Sequence, residues 1–424
     1  MRRRTTRTTL GLAVLLAAGA TGIPGTASAL PSCYDTAARP TVEEQRLEAK
    51  LTEGGPAVGP ELVKRAGFSD SVSRFSRQLC EQRSASQAAK FVEQEGNKLW
   101  RQAVTRAQGA PHAHDVDDDR PLYWARLHLT KTVRQWKPAF PLSSTQRADL
   151  VRRADRASRG LNDAALSSEA GVRRVLVSGF DPFHLDDGNV RHSNPSGTVA
   201  LQLDGRTVTT PTGKVVFQAA VLPVSWSAFD EGIVEQFFGE AMKQRVMPDA
   251  FVTISQGSWE DAFDIERWAG RWRGGAADNN DAKATGPAPA TKGRPQPATE
   301  FIETTLPHQK MVDAGTGPYK VALNPFFCEW KVGKPVGTEP DCRGDEPTPG
   351  AKAAQGGGGD YLSNESMYRA NRLRVGFGAK KLMGGHLHTP ILALPVDPAA
   401  LTDADFESRR RVIADQVRAL LSAM

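Results

Sequence analysis

Past residue 30 the sequence has no apolar run long enough to span a bilayer, and mean hydropathy is −0.42, which argues against membrane helices. It carries no phosphate-binding glycine loop of the P-loop or dinucleotide kind. Basic runs interleaved with aromatics are also missing, so nothing points to nucleic acid. Cysteine is scarce: Cys33, Cys80, Cys328 and Cys342 are the whole set, and no two have metal-ligand spacing. No cofactor or metal is implied. "PHAHDVDDDR" (111–120) has a metal-like look but matches no defined loop, and reads as an acidic solvated linker. His386 and His388 share one strand face, but no third ligand is identifiable.

What is present begins with a leader. Residues 1–29 have a basic start, a short apolar run from Leu10 to Ala20 and an Ala-Ser-Ala end. That is the pattern of a secretory signal cleaved after Ala29, and it predicts a secreted protein. The formal charge of +6 is partly the leader's. Taking Arg2, Arg3, Arg4 and Arg7 from 54 basic residues leaves 50 against 48 acidic ones. An even cysteine count in an exported chain favours disulfides. Three pairings are open. Cys33–Cys80 with Cys328–Cys342 is favoured because each pair stays within one region.

Residues 30–165 read as an α-helical N-terminal domain. "TVEEQRLEAKL" opens with a capping box from Thr41 to Glu44, and Pro121 stands at a plausible helix start. The character changes near residue 172. Strand patterns at "VRRVLVSGF", "GKVVFQAAVL" and "PDAFVTISQ" alternate with a helix pattern over "SAFDEGIVEQFFGEAMKQRVM". That helix would turn Phe229, Ile233, Phe237, Phe238 and Met242 inward. Further strands are expected at "YKVAL" and "KKLMGGHLHTP", and a final helix closes the chain. The order predicts an α/β domain over 172–424 with a mostly parallel sheet flanked by helices. Pro- and Gly-rich stretches at 279–300 and 331–358 read as loop insertions.

Three polar residues occupy strand ends or the loops after them, where an α/β enzyme keeps its chemistry. Glu266 lies in "SWEDAFDIERWAG", Ser363 opens the helix in "GDYLSNESMYRANRL", and His388 ends a strand. A carboxylate orienting an imidazole that deprotonates a hydroxyl is general triad chemistry. From residue types alone the plainer reading makes Ser363 a helix cap, Glu266 a surface acid and His388 a core histidine. The other acids of "SWEDAFD" read as solvated.

Six pieces in order alter that balance. "VLVSGFDPFHLDDGNVRHSNPSG", "AAVLPVSW", "PDAFVTISQGSWEDAFDIERWA", "FIETTLPHQKMV", "GDYLSNESMYRANRL" and "GGHLHTP" together resemble pyroglutamyl peptidase I over residues 172–392. The resemblance implies catalytic Glu266 and His388, with Ser363 where that family has its nucleophilic cysteine. It implies Phe180 and Phe183 gripping a pyrrolidone ring, the Asn194 backbone holding the ring amide, and Gln256 nearby. The implied substrate is a peptide with N-terminal pyroglutamate; oligomeric state is not readable. Serine depends wholly on base assistance, whereas a thiolate forms easily near neutral pH. The resemblance therefore implies either a Ser-His-Glu hydrolase or a non-catalytic homologue acting as a binding or interaction protein. Trp259 and Glu260 replace small or basic residues of the family. An arginine of the family has no secure counterpart, with Arg271 and Arg273 near and Ala276 at its spacing. The 331–358 insertion, just before the nucleophile helix, would form a lid or a block.

Overall fold

The computed structural model describes residues 33–109, 115–162, 166–186, 189–210 and 213–424. The expected leader, residues 1–29, lies outside these. The capping box is present, with Thr41 Oγ1 accepting from the Glu44 N–H and Glu44 reaching back. It starts only a four-residue helix, α1 (Val42–Gln45). Then follow α2 (Val58–Arg65), α3 (Ser69–Leu79), α4 (Ala85–Ala107), α5 (Arg120–Gln135) and α6 (Ser144–Ala157). Disulfide Cys33–Cys80 ties the segment before α1 to the end of α3.

The sheet has seven strands. They are β1 (Val172–Phe180), β2 (Thr207–Thr210), β3 (Gly213–Leu222), β4 (Ala250–Gln256), β5 (Ala262–Glu266), β6 (Lys320–Asn324) and β7 (Met383–Thr389). Their order is β6-β5-β7-β4-β1-β3-β2. Strands β3, β1, β4 and β7 run parallel; β5 is antiparallel to β7, and β2 to β3. The fold is thus a mostly parallel sheet flanked by helices and preceded by a helical region, as the pattern predicts. Helices α7 (Pro195–Leu203), α8 (Leu362–Gly376) and α9 (Ala404–Ala423) complete the framework.

The period of two gives the sheet unlike faces. Val175, Val177, Val252, Ile254, Ile265 and Leu387 point to one face. They share a single buried cluster with the side chains of α2–α6, α7 and α9. The other face is apolar at Leu176, Ala220 and Phe251. Towards β5 and β7 it turns polar, with Thr253, Ser255, Glu266, His386 and His388 buried there.

Four expectations need correction. The single helix over 227–247 is broken: Gly232 takes φ +78°, separating Trp226–Asp230 from a segment wound as a π-helix over Glu235–Gly239. The five apolar residues assigned inward are nonetheless buried. The 331–358 insertion is more than loop. Asp341–Arg343 and Lys352–Gln355 flank Phe327–Trp330 in a small antiparallel sheet, with Cys328 and Cys342 bonded directly across it. Within 279–300, Thr285–Pro287 pairs with Trp272–Gly274. Residues 262–266, expected as loop, form β5.

The acidic run is the fourth. Of residues 111–120, 115–120 lie in the described part, and Asp117, Asp118 and Asp119 are buried. Four arginines from three helices, α4, α5 and α9, hold the run. Arg120 binds both oxygens of Asp118 at 2.7 and 2.8 Å, Arg410 of α9 binds Asp115, and Arg411 reaches Asp117 at 2.9 Å. Arg106 donates to the Asp118 carbonyl. Buried acids persist only when paired in this way.

Candidate active site

His388 and Glu266 arrive on neighbouring strands. The β7–β5 register sets His388 opposite Asp264 and His386 opposite Glu266, so all four side chains share the polar face. His388 Nδ1 meets Glu266 Oε1 at 2.6 Å. Asn324 of β6 donates to the other oxygen of Glu266 at 2.9 Å and to the Gly357 carbonyl at 3.1 Å. Glu266 is buried, so neither the surface-acid reading nor a free carboxylate applies. Burial pushes its carboxyl up from the usual range, partly offset by the hydrogen bond from His388.

The glycine run 356–359 is the close neighbour of this pair. A Cβ at Gly357 would stand 2.1 Å from Glu266 Oε2, and one at Gly358 3.0 Å from His388 Cε1. Glycine is therefore required at 357 by the approach of the carboxylate. Composition marks this stretch as low complexity; its role is visible only once β5 and β7 are placed. Asn324, the glycines and Asp264, expected as a solvated acid but half-buried in the wall of the site, are the site residues that sequence reasoning missed. The asparagine gives no sequence signal, whereas four consecutive glycines before a helix do signal close backbone approach.

Ser363 is the second residue of α8, whose N-cap is Tyr361 without a side-chain cap. The cap reading of Ser363 is therefore replaced: its hydroxyl bonds no backbone N–H of the described residues. The first intrahelical bond is from the Glu365 N–H to the Tyr361 carbonyl, leaving the N–H groups of Leu362, Ser363 and Asn364 without intrahelical acceptors. They and the helix dipole make the place suited to an anion. Beneath this turn, Arg273 grips both oxygens of Glu365 at 2.6 Å, and Arg369 binds Glu365 and the buried Glu235. Arg273 therefore supports the helix and does not line the cavity, and neither do Arg271 and Ala276.

Ser363, His388 and Glu266 open on one cavity of about 660 Å³, with Phe180, Phe183, Asn194, Gln256, Trp259 and Asp264 also in its wall. Every residue proposed from the sequence for catalysis or binding is therefore brought together. No hydrogen bond joins Ser363 to His388. Phe180 is buried and stacked against Phe229, ring centres 6.1 Å apart. Gln256 accepts from the Leu392 N–H. Trp259 is largely exposed at the rim. His386, in contrast, is a core histidine bonded to Thr253 and Ser255 at 2.8 and 2.9 Å, and burial pushes its pKa well down. Among the described residues no group of three metal-ligating side chains occurs.

Two expectations fail here. The insertion neither caps nor blocks the cavity: from 325–359 only Gly357, Gly358 and Gly359 reach it. Asn194 does not offer its backbone to a ligand. Its N–H donates to Asp119 Oδ2 at 3.0 Å, and its carbonyl accepts from Gly197 and Thr198. Its side chain caps α7 and donates to the Asp181 carbonyl. Asp181, inside the "GFDPF" loop, is bound by Arg126 of α5 and by Arg159. The helical region thus holds the aromatic end of the cavity.

Comparisons place these features in context. Among solved structures, a mutant pyrrolidone carboxyl peptidase of the hyperthermophile Pyrococcus furiosus has a TM-score of 0.38 at 20% identity, covering 58% of this chain and 98% of its own. Pyroglutamyl peptidase I of Bacillus amyloliquefaciens has a TM-score of 0.37 at 18% identity, covering 58% and 97%. A Pseudomonas aeruginosa protein described as uncharacterized protein PA0049 is 32% identical, over 89% of this chain and 88% of its own length. Residues 25–155 match the family described as PA0049 N-terminal domain, and residues 174–299 and 328–393 match PA0049, C-terminal domain. The helical region and most of the sheet are matched, and the chain belongs to the PA0049 family.

Proposed function

We propose that this chain is an exported hydrolase that removes N-terminal pyroglutamate from peptides with a serine nucleophile. The observation that carries the reading is the buried 2.6 Å contact of His388 with Glu266 in the wall of the cavity that also holds Ser363. Glu266 fixes the Nδ1–H tautomer of His388, which turns Nε2 to the cavity as a base. Ser363 Oγ attacks the acyl carbon and its proton passes to His388. The tetrahedral oxyanion forms near the free N–H groups of the first turn of α8. His388 then protonates the leaving amine, the C–N bond breaks, and water returns through the same base to hydrolyse the ester. Ser363 and His388 form no hydrogen bond without substrate, and such contacts often close only in the complex.

The same missing bond favours a second reading, a binder of pyroglutamyl peptides that has lost catalysis. Release of a fluorophore from a pyroglutamyl amide separates the two. The hydrolase reading expects Ser363→Ala to lower kcat by about 10³-fold or more. Wild-type turnover equal to that of Ser363→Ala overturns it, and saturable binding without turnover supports the binder.

A further inference from the structure

The row of residues across the mouth of the sheet is mixed in character. Ser178 pairs in register with Thr253, and Thr253 with His386. Two residues further along, Phe180, Ser255, His388 and Asp264 therefore lie side by side on one face, on β1, β4, β7 and β5. At about 4.8 Å per strand, Phe180 and Asp264 are roughly 14 Å apart, with His388 between them. A scissile bond above His388, with its acyl group against Phe180 and Phe183, sends the leaving peptide toward Asp264.

Asp264 lines the cavity half-buried, and no Lys or Arg of the described residues pairs with it. Its neighbours Phe263 and Ile265 are buried on the opposite face, so the strand cannot turn it away. Burial pushes its carboxyl up and His388 draws it down, the condition in which a cation supplied by a ligand gains most.

The geometry points to Asp264 as a specificity residue that selects a basic side chain, lysine or arginine, in the residue following the scissile bond. This rests on Ser363 and His388 being the reacting centre. It assigns the cavity an aromatic acyl end and an acidic leaving-group end.

The test uses two amidated peptides, pyroglutamyl-lysyl-alanine and pyroglutamyl-glutamyl-alanine, titrated calorimetrically into Ser363→Ala protein so that binding is read without turnover. The lysyl peptide is expected to bind roughly tenfold tighter than the glutamyl one, by attraction of one and repulsion of the other. Adding Asp264→Asn brings the ratio to about one, and Asp264→Glu keeps it. Equal affinities, a preference that survives Asp264→Asn, or no binding of either peptide overturns the inference. Turnover of both peptides by wild type is measured in parallel. Discriminating binding without turnover sinks the hydrolase reading and leaves the specificity standing; turnover at equal kcat/KM with equal affinities does the reverse.

Discussion

Asp119, at the start of α5, accepts the N–H of Asn194 at 3.0 Å and the hydroxyl of Ser193. A residue of the helical region thereby fixes the loop that leads into α7 and borders the cavity. Removing the acceptor with Asp119→Ala strands two buried donors, at about 1–3 kcal/mol each. A lower melting temperature and a raised KM for pyroglutamyl amides are expected, read by calorimetry and steady-state kinetics.

The same carboxyl gives a pH signature. Burial and the neighbouring Asp118 push Asp119 from 3.8 up to about 7. Between those values the folded chain binds the extra proton, so this group's stabilising contribution is full at low pH and is lost as pH rises towards 7. Asp119→Asn should remove that slope. The check is the difference in unfolding free energy between wild type and variant from pH 4 to pH 8, and a flat difference would count against the assignment.

Gly357 has no room for a methyl group because Glu266 Oε2 occupies the space. Gly357→Ala must displace the carboxylate or the tight turn over Gly356–Gly359, which bonds the Trp268 carbonyl through the Gly357 N–H. It is expected to cost about 1–3 kcal/mol and most of the activity. Gly333→Ala, where nothing lies within 4 Å, should cost only about 1 kcal/mol of backbone strain and leave turnover intact.

Glu266→Gln keeps the shape and removes the charge that holds His388. Activity should fall by about 10²–10⁴-fold with little change in KM. A loss confined to KM would assign Glu266 to binding instead.

Ser363→Cys places a thiol on the first turn of α8, beside His388's cavity. The other four cysteines are in disulfides, so iodoacetamide should add a single mass increment to the unreduced protein. A helix N-terminus lowers a thiol pKa, so modification should be faster than for a free thiol at pH 7. Activity at or above the wild-type level would show that the surrounding machinery accepts either nucleophile.

The parallel core, the helical region and both disulfides were legible from periodicity and cysteine spacing. Strand β5 was also readable, since Phe263 and Ile265 alternate with Asp264 and Glu266, but its length of five residues hid it in an acidic loop pattern. The run Asp117–Asp119 was misread for a physical reason. Local charge density suggests solvation, whereas Arg410 and Arg411, which neutralise it, lie some 290 positions away. Likewise nothing local shows that Asp119 takes the Asn194 N–H.

The unbroken apolar cluster that runs from α2 to α9 has a mechanical consequence. Arg159 bonds the β3 edge through the Val221 N–H, and Trp100 of α4 bonds Asp204 at the end of α7. The helices are therefore cladding rather than a detachable leader: a chain beginning at residue 172 would lay bare the outer side of α7 and one sheet edge. Heat should melt residues 33–424 in one transition, and a protease able to nick between α6 and β1 should leave two fragments that stay together until denatured.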